Sequence, residues 1–439
     1  MPTSAPSKIS KANTTFALDL FKKLSDADKT ANIFYSPFSI SSALAMVMLG
    51  TGGNTSTQMS EVLCFTETQK PKELGATSLQ SPKQSQMQSQ MQTQMKIQEQ
   101  MQKISRLPQY LRKMCPQPEK DEDDVHAVFS KLLSELIKDD APYALSLANR
   151  LYGEQSYQFV ERFLEETKTY YSAELESVDF KASAEAVRVN INSWVEGQTQ
   201  GKIKDVLAEG VVDNMTTLVL VNAIYFKGKW DKQFKEGSTV DAPFKMNKND
   251  SKSVKMMQEK STFLITSITE FNCQILEMPY KGKDLSMLIF LPNEIEDETT
   301  GLEKLEKELT YEKFVEWTHS DMMSETEVEV RLPRFKMEES CDLKDILISM
   351  GMVDAFDVRM SDFSGMSPAN DLVLSKVVHK AFVEVNEEGT EAAAATAGML
   401  TERALLVPFT FIADHPFLFF IRHNVTKSVL FAGRYCSPE

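Results

Sequence analysis

A strand-like run, Leu374-Ser-Lys-Val-Val-His-Lys-Ala-Phe-Val-Glu-Val385, passes straight into Asn386-Glu-Glu-Gly-Thr-Glu-Ala-Ala-Ala-Ala-Thr-Ala-Gly398. In an extended chain successive side chains point to opposite faces, so Thr390, Ala392, Ala394, Thr396 and Gly398 would share one face and Glu391 would fall on the other. Every residue on the first face is small enough to be buried, which makes the segment a loop able to become a strand. Taken alone, 387–397 also reads as a modest helix start or a disordered linker, because four consecutive alanines favour helix. The β-branched alternation of 374–385 turns the reading towards strand.

Beyond the alanines lie two apolar runs of strand length, Ala413-Asp-His-Pro-Phe-Leu-Phe-Phe-Ile-Arg-His423 and Ser428-Val-Leu-Phe-Ala-Gly-Arg434. Polar residues 424–427 separate them, the pattern of a core hairpin. Upstream, Phe16, Leu18, Leu20 and Phe21 predict a helix over 14–25 with one buried side, and further helices are predicted over 39–49 and 125–138. Strands are predicted over 144–152, 217–226, 273–280, 285–291 and 326–333. The blocks mix helix and strand without a regular βαβ rhythm, which predicts an α+β fold with largely antiparallel sheets.

With 439 residues the chain is long enough for a large core, and no Gly/Pro/Ser linker divides it into equal parts. The 63 acids outweigh 48 Lys and Arg for a net charge of −15, which disfavours a general attraction to nucleic acid or to an anionic membrane. Neither is expected as a partner. Five cysteines, Cys64, Cys115, Cys273, Cys341 and Cys436, form neither a CxxC pair nor a zinc pattern, so reduced thiols are expected. The first residues contain no apolar core of a signal peptide, and the best apolar stretch, 33–49, is broken by serines and a proline and is too short and polar to cross a bilayer. A cytoplasmic location is therefore expected, in which the glycosylation-like triplets at Asn13, Asn54, Asn214, Asn249 and Asn424 are chance matches. The histidines His126, His319, His379, His415 and His423 show no metal spacing, and there is no Walker loop, GxGxxG or GxSxG. An enzyme is not expected, nor is any cofactor or metal.

Several stretches together identify a family. They are Asn32-Ile-Phe-Tyr-Ser-Pro-Phe-Ser-Ile40, Leu151-Tyr-Gly-Glu154, Val221-Asn-Ala-Ile-Tyr-Phe-Lys-Gly-Lys-Trp230, Leu332-Pro-Arg-Phe335, the alanine-rich segment and Asp414-His-Pro-Phe417. The chain resembles the serpins over nearly its whole length, and within them the intracellular, ovalbumin-like clade. The resemblance implies one domain over 1–439 with three mostly antiparallel sheets, about nine helices and an exposed reactive-centre loop over 387–410. It also implies a monomer. Glu387, Gly389, Thr390, Glu391, Ala392, Ala393, Ala394, Ala395 and Thr396 match the hinge of inhibitory members, with Glu387 as the acid at its base that pairs with a lysine. Ser36, Ser39, Asn222 and His379 correspond to the shutter, where hydrogen bonds near the sheet centre break and re-form as a strand enters. Read without the family, His379 is a satisfied core histidine and Glu387 a solvated surface acid. Trp230 resembles the tryptophan at the breach, where insertion begins; by itself it reads as plain core.

Counting along the family's hinge from Gly389 puts the bait at Arg403 and the cut before Ala404. The resemblance then implies suicide inhibition: a protease forms an acyl-enzyme at Arg403 and the freed hinge inserts into the main sheet before deacylation. A guanidinium fits the acidic pocket of a trypsin-like serine protease, which becomes the expected covalent partner. Arginine departs from the small apolar or aromatic bait of the clade's elastase-directed members. Glu402 narrows the targets further, and a cut shifted to Leu400, Leu405 or Leu406 would suit chymotrypsin-like or cathepsin-like enzymes instead.

Where the family has a short connection, residues 66–123 form a Gln- and Met-rich insertion between two helices. Met87, Met91 and Met95 recur every four residues and would stack on one side of a helix. The composition, poor in aromatic and branched residues, favours a solvated low-complexity loop. A methionine-lined docking helix for a protein partner, or by family analogy a transglutaminase substrate, are the other readings. They leave a rival for the whole chain: a non-inhibitory serpin that works as an interaction protein through this insertion, its loop cut as a mere substrate.

Overall fold

The first helix begins earlier than its apolar pattern suggests. Ser7 accepts a hydrogen bond from the Ser10 amide and caps α1 (Lys8–Ala27), whose buried side extends back from Phe16 through Ala12 to Ile9 in the first turn. The computed structural model describes residues 7–66, 124–138, 140–388 and 409–438. The hinge positions from Gly389 to Thr396, the Arg403–Ala404 bond, and insertion residues 67–123 with Met87, Met91 and Met95 lie outside the described residues. All the elements named below belong to one unit, residues 1–67 and 125–439.

After α1 come β1 (Ile33–Tyr35), α2 (Pro37–Met48), α3 (Gly53–Val62) and α4 (Val125–Leu136). Next follow β2 (Tyr143–Glu154), α5 (Glu161–Tyr171), β3 (Glu174–Val178), α6 (Phe180–Gln198) and β4 (Leu218–Gly228). A run of strands, β5 (Val240–Lys245), β6 (Ser251–Ile268), β7 (Cys273–Pro279) and β8 (Leu285–Pro292), precedes α7 (Glu303–Glu308) and α8 (Tyr311–Trp317). The chain closes with β9 (Ser324–Pro333), β10 (Phe335–Asp342), α9 (Lys344–Met350), β11 (Leu374–Val385), β12 (Phe409–Ile412), β13 (Phe417–His423) and β14 (Val429–Tyr435). Nine α-helices thus lie among the described residues, and the core hairpin predicted at the C-terminus is β13 and β14.

One sheet runs β10-β11-β4-β2-β3. The other strands run β1-β14-β13-β8-β7-β6-β9-β12, with β5 also on β6. The long β6 accounts for this continuity: residues 256–265 pair with β9 and 264–268 with β7, so two of the three expected sheets share one strand. Only β11/β4, β12/β9 and β2/β3 pair in parallel among the described strands.

The apolar run of β4 lacks clean alternation because both of its faces are covered. Val219, Val221, Ala223 and Tyr225 join Val187, Ile191 and Val195 of α6 in one core. Leu218, Leu220, Ile224 and Phe226 face the larger core, to which α2 belongs. Helix α2 is buried from Pro37 through Val47 and lies under the centre of this sheet. No described helix is long and apolar enough to cross a membrane.

Candidate functional site

Strands β11 and β4 meet in parallel from Leu374 opposite Leu218 to Val383 opposite Phe226, with an irregularity near Lys376. These strands are some 150 residues apart in sequence, and they form a seam closed along its described length. His379 lies opposite Asn222 across it, and Asn222 in turn opposite Asn149 of β2. By the period of two, Asn222 shares the face of Leu220 and Ile224 and points at α2.

The cap of α2 ties that helix to the seam. Ser36 Oγ accepts from the Ser39 amide and donates to the Leu430 carbonyl at 2.6 Å. The Ser36 N–H donates to His379 Nε2 at 3.1 Å, and Ser39 Oγ donates to Asn222 Oδ1. His379 Nδ1 lies 2.7 Å from the same Asn222 oxygen. A backbone amide can only donate, so Nε2 is the acceptor and Nδ1 carries the proton that reaches Asn222. The ring is therefore neutral, and its burial pushes the pKa down to about 3. The four residues expected to act together, Ser36, Ser39, Asn222 and His379, form one buried network with a bond that crosses the seam. Asn149, whose Nδ2 faces Met46 Sδ at 3.9 Å, borders this network and carries no sequence signal of its own.

At the end of the seam where β11 stops, the chain is pinned. The Trp230 indole N–H donates to the Asn386 carbonyl at 3.0 Å, and its backbone N–H to the Glu388 carbonyl at 3.2 Å. The Phe234 amide reaches the Glu387 carbonyl and the Gln233 side chain the Glu388 carbonyl. Trp230 itself stacks on Tyr280 with centroids 4.5 Å apart, so packing holds its two donors in place. Trp230 is thus both core and anchor.

Glu387 is buried, not solvated, and its cation is not a lysine. Its Oε1 accepts from Thr239 Oγ1 at 2.7 Å and lies 3.6 Å from the Arg334 guanidinium. Arginine suits the place because its several donors can serve a carboxylate while the head group stays half in water. Arg334 sits within Leu332-Pro-Arg-Phe335, so the motif contained the partner; Thr239 and Gln233 gave no such signal. The described residues next resume at Phe409 on β12, which pairs with β9.

A family model described as Serpin (serine protease inhibitor) matches residues 11–438. The chain is 48% identical over 431 residues to the leukocyte elastase inhibitor of Equus caballus, a match covering 98% of this chain and 100% of the relative. It is also 48% identical over 430 residues to serpin B6 of Macaca fascicularis, covering 98% of this chain and 99% of that protein. Uncleaved ovalbumin, a solved structure, matches with a TM-score of 0.78 at 36% identity, over 98% of this chain and 100% of its own.

Proposed function

The chain belongs to the serpin family, in its ovalbumin-like clade, and from that premise we propose that it inhibits a trypsin-like serine protease by suicide trapping at Arg403–Ala404. The enzyme's serine Oγ attacks the Arg403 carbonyl carbon, the bond to the Ala404 nitrogen breaks, and Ala404 leaves as a free amine with the proton passed on by the enzyme's base. An ester then joins Arg403 to the protease. The freed hinge enters the seam between β4 and β11 before water can cleave that ester.

The observation that carries this reading is the parallel pairing of β4 with β11, the strand that runs directly into the hinge. A chain that turns back after Val385 runs antiparallel to β11, and therefore antiparallel to β4 as well. Its entry exchanges one parallel ladder for two antiparallel ones, whose hydrogen bonds are slightly better placed. Register supports the same conclusion. A four-residue reversal over 386–389 sets Thr390, Ala392, Ala394 and Thr396 opposite Val385, Val383, Ala381 and His379, all buried. Glu391 then falls beside the exposed Glu384. A reversal one residue shorter would press Glu391 against buried Val383, at a cost of several kcal/mol for an unpaired charge. The His379–Asn222 bond must part on entry, which fits the small, neutral groups that make it.

The relatives' name points to an elastase for them; arginine at the bait argues for a basic-residue specificity here, with Glu402 restricting the range. A reducing compartment, and so the cytoplasm, fits two further observations. Burial pushes the thiols of Cys273 and Cys436 up to about 12 and that of Cys341 to about 11. Asn13, one of the glycosylation-like sites, is buried on the Val429 carbonyl. The test is to mix the protein with trypsin near equal molarity, beside Arg403→Ala, and run denaturing gels. A band at the summed mass, absent in the variant, is expected. Cleavage alone, with no rise in the thermal stability of the cut protein, would instead support the interaction-protein reading through residues 66–123.

A further inference from the structure

The segment that pins the loop base also carries an unneutralised cationic ridge. Trp230 and Tyr280 bridge two antiparallel stretches, with the Lys281 amide donating to the Lys229 carbonyl at 2.7 Å. That register sets Lys229 opposite Lys281, and because Trp230 and Tyr280 fill the inner face, the two lysines share the outer one. Like charges directly opposite each other destabilise a ribbon, and a fold under pressure for stability alone would separate them. Lys232, Lys281 and Lys283 are exposed and Lys229 is half-buried. Lys283 has only a long, exposed contact to Asp231 at 3.8 Å, and Lys229, Lys232 and Lys281 make no ion pair with a described carboxylate. Segments 227–236 and 281–284 hold six lysines against three acids, in a chain whose net charge is −15.

We propose that this ridge recruits the protease, by attracting an acidic face of the incoming enzyme beside the point where the loop leaves the fold. The idea rests on the inhibitor reading above. Its support is position: the backbone of Trp230 and the side chain of Gln233 bind the Glu388 carbonyl, the last described group at the loop's base, so an enzyme engaging the loop passes next to Lys229 and Lys232. Exposed charges of this kind act on the rate of encounter, and salt screens them. The ridge is two short strands wide, which suits a patch on a globular partner better than an extended polyanion.

Anionic and cationic trypsins supply the test, because they share a preference for arginine and differ in surface charge. The rate at which intact protein disappears, into complex or cleaved product, is measured with each enzyme at low and high salt. The wild type, the triple variant Lys229→Gln/Lys232→Gln/Lys281→Gln, and a charge-matched control Lys23→Gln/Lys168→Gln/Lys307→Gln are compared. Anionic trypsin is expected to react faster with the wild type at low salt, by roughly tenfold. That advantage should vanish in the ridge variant, persist in the control, and fade for all three proteins in high salt. Equal loss in the control, or an advantage untouched in the ridge variant, overturns the proposal. Charge-dependent cleavage without a covalent band would uphold the ridge and sink only the inhibitor reading; no reaction with either enzyme would sink both. Retention on immobilised heparin that the ridge variant alone loses, without a rate difference between the trypsins, would assign the ridge to a polyanion and overturn the protease reading.

Discussion

Acidification should destabilise this protein through one histidine, by an amount that its surroundings fix. In the fold His379 is held neutral, accepting from the Ser36 amide and donating to Asn222, and burial keeps its pKa at about 3. A second proton would sit on Nε2 and face the Ser36 N–H. In the unfolded chain the same ring takes up a proton near pH 6.5. Between these two values the unfolded state binds more protons than the folded one, so stability rises with pH there and is lost as pH falls from about 6.5 towards 3. At about 1.4 kcal/mol per pH unit, the loss from this group at pH 5 is about 2 kcal/mol relative to neutral pH. His379→Gln isolates the effect, because a glutamine offers an acceptor to Ser36 and a donor to Asn222 and does not titrate in this range. Urea unfolding of both proteins at pH 7.5 and pH 5 gives the comparison, with every other titrating group common to both and cancelling in the difference. The wild type should lose about 2 kcal/mol more than the variant on acidification. If the two proteins lose the same amount, His379 is not held as the neutral acceptor described, and the account of the seam fails with it.

Two other outcomes follow from packing. Arg434 is fully buried, donating to Glu306 at 3.0 Å, to Ser25 and to the Asp28 and Ala31 carbonyls; Arg434→Met leaves Glu306 charged and unpaired and should lower urea-unfolding stability by about 3–5 kcal/mol, and a loss under about 1 kcal/mol would contradict that burial argument. Ala394→Asp would set a carboxylate, which trypsin does not cut after, opposite buried Ala381 in the inserted strand, so gels with trypsin should show the covalent band replaced by protein cleaved at Arg403, the insertion being slowed more than about tenfold; an unchanged yield of complex would contradict that register.

Much of the fold was legible because its signals are local. The alternation of 374–385 became β11, the apolar pair at the C-terminus became β13 and β14, and the helix expected over 39–49 became α2, which begins two residues earlier at Pro37 behind its cap Ser36. Six of the nine described helices, α3 and α5 to α9, were not placed by the sequence patterns, and α6 shows why. The apolar residues of α6 are sparse, Ser183 interrupts its helical backbone, and only packing on β2 and β4 organises them. At the candidate site, residue types at family-matched positions singled out Ser36, Ser39, Asn222, His379, Trp230 and Glu387 as expectations. Glu387 read by itself is a solvated acid and by the family a partner of lysine; it is buried against an arginine because Thr239 and Arg334, far off in sequence, are brought against it.

The amino-acid order by itself determined which segments can be strands, which side of the alanine segment is small enough to bury, and that the C-terminal runs belong to a core. Those properties follow from side-chain size, branching and period, and they need no partner. Packing of the whole chain, and nothing local, lays β11 parallel to β4 rather than to any other strand and brings His379 to Asn222 across that seam. It alone decided as well that Lys229 faces Lys281. Parallel neighbours are joined through long connections that leave no local signature, and a hydrogen bond between groups some 150 residues apart exists only once both strands are packed on α2.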